Sequence, residues 1–170
     1  MWNDTDEPIA YLITFRTYGT WLHGDERGST DRNNNQYGEP FIPKDECWFE
    51  HNKNLLRSEP FKLDVRCRRV VATAILEVCD HYSWQLAEMD VRTNHAHSVI
   101  QCPEHSSRKA LRQFKAFSTR RLRETGLWAH DHSPWAEKGS RRLIWNEAGV
   151  AAAVNYVKNR QGGPLPDLGS

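Results

Sequence analysis

The chain has no run approaching the roughly 18 apolar residues that span a bilayer, and its opening stretch, MWNDTDEPIAYLITF, is acidic where a secretory leader is basic. No membrane partner is expected, and the sequence predicts a cytoplasmic location. Cysteine is sparse: Cys47, Cys67, Cys79 and Cys102 are scattered without any CxxC spacing. That argues against a zinc knuckle or a disulfide framework and for reduced, buried thiols. Internal repeats and low-complexity tracts are absent too. Excess charge of one sign is missing as well: a formal net charge of +1 excludes a uniform basic field, so any nucleic-acid contact must come from local clusters.

What is present is expected to form one domain over residues 1–170, since 170 residues at 38% apolar content supply a real core and a second domain of ordinary size would not fit beside it. One basic cluster stands out. The segment SSRKALRQFKAFSTRRLRETG carries Arg108, Lys109, Arg112, Lys115, Arg120, Arg121 and Arg123 against the single acid Glu124.

AYLITFRTYGTW has the β-branched and aromatic content of a strand, with Ile13 and Phe15 on one face and Leu12, Thr14 and Arg16 on the other. Residues 19–45 are rich in Gly, Asn, Asp and Pro and run longer than a passive connection. LDVRCRRVVATAILEVCDHY places Val71, Ile75, Val78 and Cys79 at helical spacing. SWQLAEMDVRT and HAHSVIQC read as two strands joined near Asn94, which is either a turn residue, the preferred reading, or a residue that orients the histidines after it. The helix that follows would be capped by Ser106 or Ser107. RRLIW is a short last strand, and Asn146 caps a final helix, EAGVAAAVNYVKNRQ, ended by Gly162, Gly163 and Pro164. The expected class is α+β, an antiparallel sheet with helices on one face. Trp84 and Trp145 are expected in the core, with Trp21 left as a stacking residue.

The chemistry concentrates first in TNHAHSVIQC. On a strand rising about 3.3 Å per residue, His95 and His97 share one face with Cα atoms roughly 6.6 Å apart, so both imidazoles can reach one metal ion. Ala96, Ser98 and Ile100 point to the opposite, packed face. Two nitrogen ligands leave positions open for a Lewis acid to polarise a substrate oxygen. The same triplet also suits two ordinary histidines, because the chain has eight and HxH arises often by chance. Barrel hydrolases with an HxH need a longer chain, and nucleotide hydrolases of the histidine-rich kind need a further histidine where Val99 stands.

The second concentration is Tyr156 in AAAVNYVKNRQGG. A helix aromatic is usually core, but a tyrosine can also act as a nucleophile if its pKa of about 10 is offset by a metal or cation. At 100° per residue, Arg160 lies about 40° and Asn159 about 60° from Tyr156 around the helix, whereas Gln161 lies about 140° away unless the helix end unwinds.

Taken together, YLITFRTYGTWLHGDERGS, NHAHSVI, GSRRLIW and NYVKNRQG resemble the HUH single-tyrosine transposases, the insertion-sequence 200/605 and REP-associated types. The resemblance implies a ferredoxin-like or RRM-like antiparallel sheet with helices on one face, plus a C-terminal helix carrying the tyrosine. It implies a DNA strand transferase and endonuclease that cleaves and rejoins single-stranded or hairpin DNA through a 5′-phosphotyrosine bond, often as a homodimer. By position, Tyr156 is the nucleophile, and His95 and His97 hold Mg2+ or Mn2+. Gln161, or else Asn159, supplies the third ligand. Many relatives carry that amide four residues after the tyrosine, where this chain has Arg160, a residue suited to steadying the scissile phosphate. Arg108, Arg112, Lys115 and Arg120 would track the DNA backbone, with Trp21 or His23 meeting unstacked bases. A non-catalytic nucleic-acid-binding relative on the same fold, or a phosphodiesterase using water, remain as alternatives.

Overall fold

The computed structural model describes residues 7–20 and 46–159. Strand β1 (Ala10–Thr17) is followed by α1 (Glu46–Asn54), α2 (Val65–Tyr82), β2 (Gln85–Val91) and β3 (His95–Gln101). A single 3₁₀ turn, Glu104–Ser106, leads into α3 (Ser107–Glu124), and β4 (Trp135–Ile144) and α4 (Glu147–Asn159) complete the chain. The strands form one antiparallel sheet in the order β2-β3-β1-β4, so the expected ferredoxin-like α+β arrangement is the one found.

Alternation in β1 divides the molecule. Tyr11, Ile13 and Phe15, all 0% exposed, face α2 and α3 and join Val71, Ile75, Val78, Phe114 and Leu122 in the main core. Ala10 and Leu12 point the other way and pack with Val99, Ile144, Ala153 and Val157 under α4. The sheet is therefore covered on both faces, by a helix pair behind and by α4 in front. Asp64 starts α2 by accepting a 2.8 Å hydrogen bond from the Cys67 N–H, and this bond holds its carboxyl below the usual carboxylate range. Asn146 caps α4 as expected, accepting from the Gly149 N–H at 2.8 Å.

Several expectations are corrected. The last strand is the ten-residue Trp135–Ile144 rather than RRLIW alone, because its first half is paired through a bulge that hides the alternation: Phe15 faces Gly139 while Thr17 already faces Trp135. Helix α1 is new. Ser106 sits at the N-cap of α3 but its side chain makes no capping hydrogen bond. Trp84 is buried as expected, whereas Trp145, just past the sheet, is 43% exposed. The cysteines are free; Cys67 and Cys79 are buried, but Cys47 is exposed on α1. Among the described residues no helix is long and apolar enough to cross a membrane.

Lys115 clamps the β4 bulge. Its ammonium donates to the carbonyls of Ala136, Glu137 and Lys138 at 2.7, 3.2 and 3.0 Å, which uses all three of its donors. Burial pulls its pKa down to about 8, with Glu137 opposing. An ammonium whose folded pKa lies below its ordinary 10.5 binds its proton more tightly when unfolded, so unfolding free energy should rise with pH across that window. Urea titrations from pH 8 upward should show this rise in the native protein and lose it in Lys115→Met. Gly139 faces a tighter constraint, because a Cβ there would lie 2.8 Å from the Thr14 carbonyl oxygen and 2.7 Å from Leu111 Cδ1. Gly139→Ala should destabilise the fold by about 1–3 kcal/mol, read as a lower urea midpoint at unchanged slope.

Candidate active site

The β2–β3 hairpin turns at Thr93 and Asn94, and β3 leaves it with His95 and His97 on the front face while Ala96, Ser98 and Ile100 enter the buried side. Register places Asp90, His97, Thr14 and Ser140 in one row across all four strands, with Arg16 opposite His95 in the next. His97 is buried, at 7% exposure, and His95 is half-buried. Their ring centroids lie 4.6 Å apart.

Each imidazole is fixed through Nδ1. His95 Nδ1 lies 2.6 Å from Asn94 Oδ1, an acceptor, so Nδ1 carries the proton and the lone pair falls on Nε2. His97 Nδ1 lies 2.7 Å from Thr14 Oγ1 in a buried contact. A partner on one ring nitrogen that orients the other toward a metal is the usual support of a metal-ligating histidine. This pair therefore fits a divalent ion by its spacing and by its donor chemistry. Asn94 thus fills both roles weighed for it, standing in the hairpin turn and holding the ring of the first histidine.

Helix α4 crosses the front face over β2 and β3. Its small residues allow a close approach, and Ala153 and Val157 are fully buried against the sheet. This brings Tyr156, half-buried at the edge of the contact, edge-on to His97 with ring centroids 5.7 Å apart. Asp90, beside His97, has its carboxyl raised above the ordinary range by burial, while Arg92, 3.6 Å away, pulls it back. Among the described residues no cluster of three or more His, Cys, Asp or Glu side chains could hold a metal.

Two residues 59 positions apart in sequence are thus brought together, and others are not. Asn159 ends α4 on its exposed side, where its amide donates to Asn155 Oδ1 at 2.7 Å. Arg160, Gln161, Trp21 and His23 lie outside the described residues. The basic helix α3 packs behind the sheet, on the face opposite the histidines. There Arg108 and Arg112 are exposed, Arg120 pairs with Glu124 at 3.8 Å over the Phe117 ring, and Lys115 is engaged by β4. Sequence reading passed over Thr14, whose only signal was its position on the polar face of β1.

The family model described as "Transposase IS200 like" matches residues 57–159, a span that includes both histidines and Tyr156. Among solved structures, a REP-associated tyrosine transposase bound to a REP hairpin is similar at TM-score 0.52 and 14% identity, covering 92% of this chain and 70% of that one, and shares the fold. A transposase-like protein of Deinococcus radiodurans R1 follows at TM-score 0.46 and 11% identity, covering 95% of this chain and 97% of that one. Curated protein sequences return no match.

Removing either orienting partner should loosen the histidine pair without unfolding the sheet. Thr14→Val and Asn94→Ala are each expected to weaken Mn2+ binding by about 10- to 100-fold in titration calorimetry, with the far-UV circular dichroism unchanged.

Proposed function

The chain belongs to the IS200-like transposase family, and from that premise we propose that it cleaves and rejoins single-stranded DNA through a 5′-phosphotyrosine bond on Tyr156. The observation that carries this reading is the seating of the Tyr156 ring 5.7 Å from that of His97, whose neighbour His95 lies 4.6 Å along the same face.

In the proposed reaction Tyr156 Oη attacks a backbone phosphorus. The P–O3′ bond breaks, the 3′-oxygen leaves as a hydroxyl, and the phenol proton is given up as the new bond forms. The 5′-phosphate remains on Tyr156 until another 3′-hydroxyl attacks it, which restores both the phenol and a phosphodiester. One ester replaces another at each step, so neither ATP nor water is consumed. His95, His97 and Gln161 would hold Mg2+ or Mn2+, which when bound supplies Lewis-acid charge to the phosphate oxygens. Gln161 is preferred to Asn159 because Asn159 lies on the exposed side of α4, where its side-chain nitrogen donates to Asn155. Arg160 follows Tyr156 by four positions in the sequence, and a guanidinium suits a scissile phosphate.

The proposed partner is single-stranded or hairpin DNA, and the proposed working unit is a cytoplasmic homodimer. Because α3 lies behind the sheet, Arg108, Arg112 and Arg120 would serve duplex or hairpin backbone away from the point of cleavage. Trp21 and His23 remain candidates for unstacked bases.

The test is a labelled hairpin oligonucleotide incubated with Mn2+ and run on a denaturing gel. The native protein should form a denaturant-resistant adduct, and Tyr156→Phe should abolish it while hairpin affinity stays nearly unchanged. Cleaved DNA released without attached protein would instead assign the attack to water.

A further inference from the structure

The loop between α3 and β4 contains a second histidine pair, His130 and His132, in WAHDHSPW. Here the rings are built into a stack. His130 lies parallel to His132 with centroids 5.3 Å apart and 22° between planes, and Trp128 closes edge-on at 4.7 Å from His130 and 5.2 Å from His132. Tyr18 also meets His132, with centroids 4.4 Å apart and the planes tilted by 43°.

The stack is fixed rather than a chance cluster. His132 Nδ1 donates to the Ser133 carbonyl at 3.0 Å, so its Nε2 accepts from Ser58 Oγ at 3.0 Å, and the Trp128 indole N–H donates to the His132 carbonyl at 2.8 Å. Arg123 gathers the carbonyls of His130, Asp131 and His132 at 3.3, 3.4 and 3.3 Å. His130, held on this base, is exposed. Arg57, paired with Asp131 at 3.2 Å, and Arg123 give the rim cationic groups.

The stack also shares an end of the sheet with the histidine site. Tyr18 follows Thr17, whose N–H and Oγ1 donate to the Asn94 carbonyl at 2.9 and 3.1 Å, and the Asn94 side chain holds His95. A rigid, exposed ring backed by other rings and rimmed by arginines matches the π-face of an unpaired base between phosphates. A duplex hides that face within its stack, so the fitting ligand is single-stranded.

We propose that His130, supported by His132, Trp128 and Tyr18, is a stacking platform for one unpaired base of the DNA flanking the cleavage point. That the strand is DNA rests on the proposed function; the platform itself rests on the ring geometry. The test uses the full chain without added metal, so that binding is read apart from cleavage. Hairpin oligonucleotides with single-stranded flanks carry 2-aminopurine at successive flank positions. One position should be quenched on binding. His130→Ala should remove that quench and weaken binding of the flanked hairpin about tenfold. His130→Phe should keep both, and a hairpin without flanks should bind native protein and His130→Ala equally. A quench and affinity unchanged in His130→Ala would overturn the platform, as would an equal loss on the flankless hairpin. Failure of Tyr156 to form an adduct would leave this result standing, so the two readings fail separately.

Discussion

The register between β1 and β3 is the constraint on which the candidate site depends. It sets Thr14 opposite His97, where a buried 2.7 Å hydrogen bond fixes the imidazole, and Arg16 opposite His95. A slip of one residue would turn every side chain of one strand to the other face. Such a slip would put Tyr11, Ile13 and Phe15, now fully buried, on the front of the sheet, and the cost of exposing three large apolar side chains holds the register in place. The core behind the sheet thereby positions the chemistry in front of it.

The two faces divide the work. Behind the sheet, α2 and α3 bury their apolar stripes and Lys115 braces the irregular half of β4. In front, α4 is alanine-rich and approaches closely, so Tyr156 is carried to His97 by packing of Ala153 and Val157 rather than by a loop. Tyr156 and the imidazoles thus stand on regular elements, which hold geometry better than loops do. The basic residues of α3 stand on the far side of the sheet from the histidine pair.

Much of this was legible in the residues themselves. The alternation of β1 and β3 gave the correct faces for Leu12, Thr14, Ala96 and both histidines, and the 3.6-residue spacing of Val71, Ile75 and Val78 gave the buried stripe of α2. Local chemistry gave the Asn146 cap. The misreadings also have local causes. The bulge opposite Phe15 and Thr17 breaks period-two alternation, so the first half of β4 did not read as a strand. Trp145 follows an apolar run but sits beyond the last pairing, at 43% exposure.

What the sequence determined by itself was most of the elements, though not α1 or the first half of β4, the face on which each histidine lies, and the family to which the combination of HxH and a late tyrosine points, because periodicity and capping act over a few residues. Only the tertiary structure decided what those residues meet. Thr14 reaches His97 across 83 positions, His132 lies against Tyr18 across more than a hundred, and α3 falls behind the sheet. These outcomes follow from strand order, register and helix packing, which are set by burial of the whole core and leave no local mark on the chain.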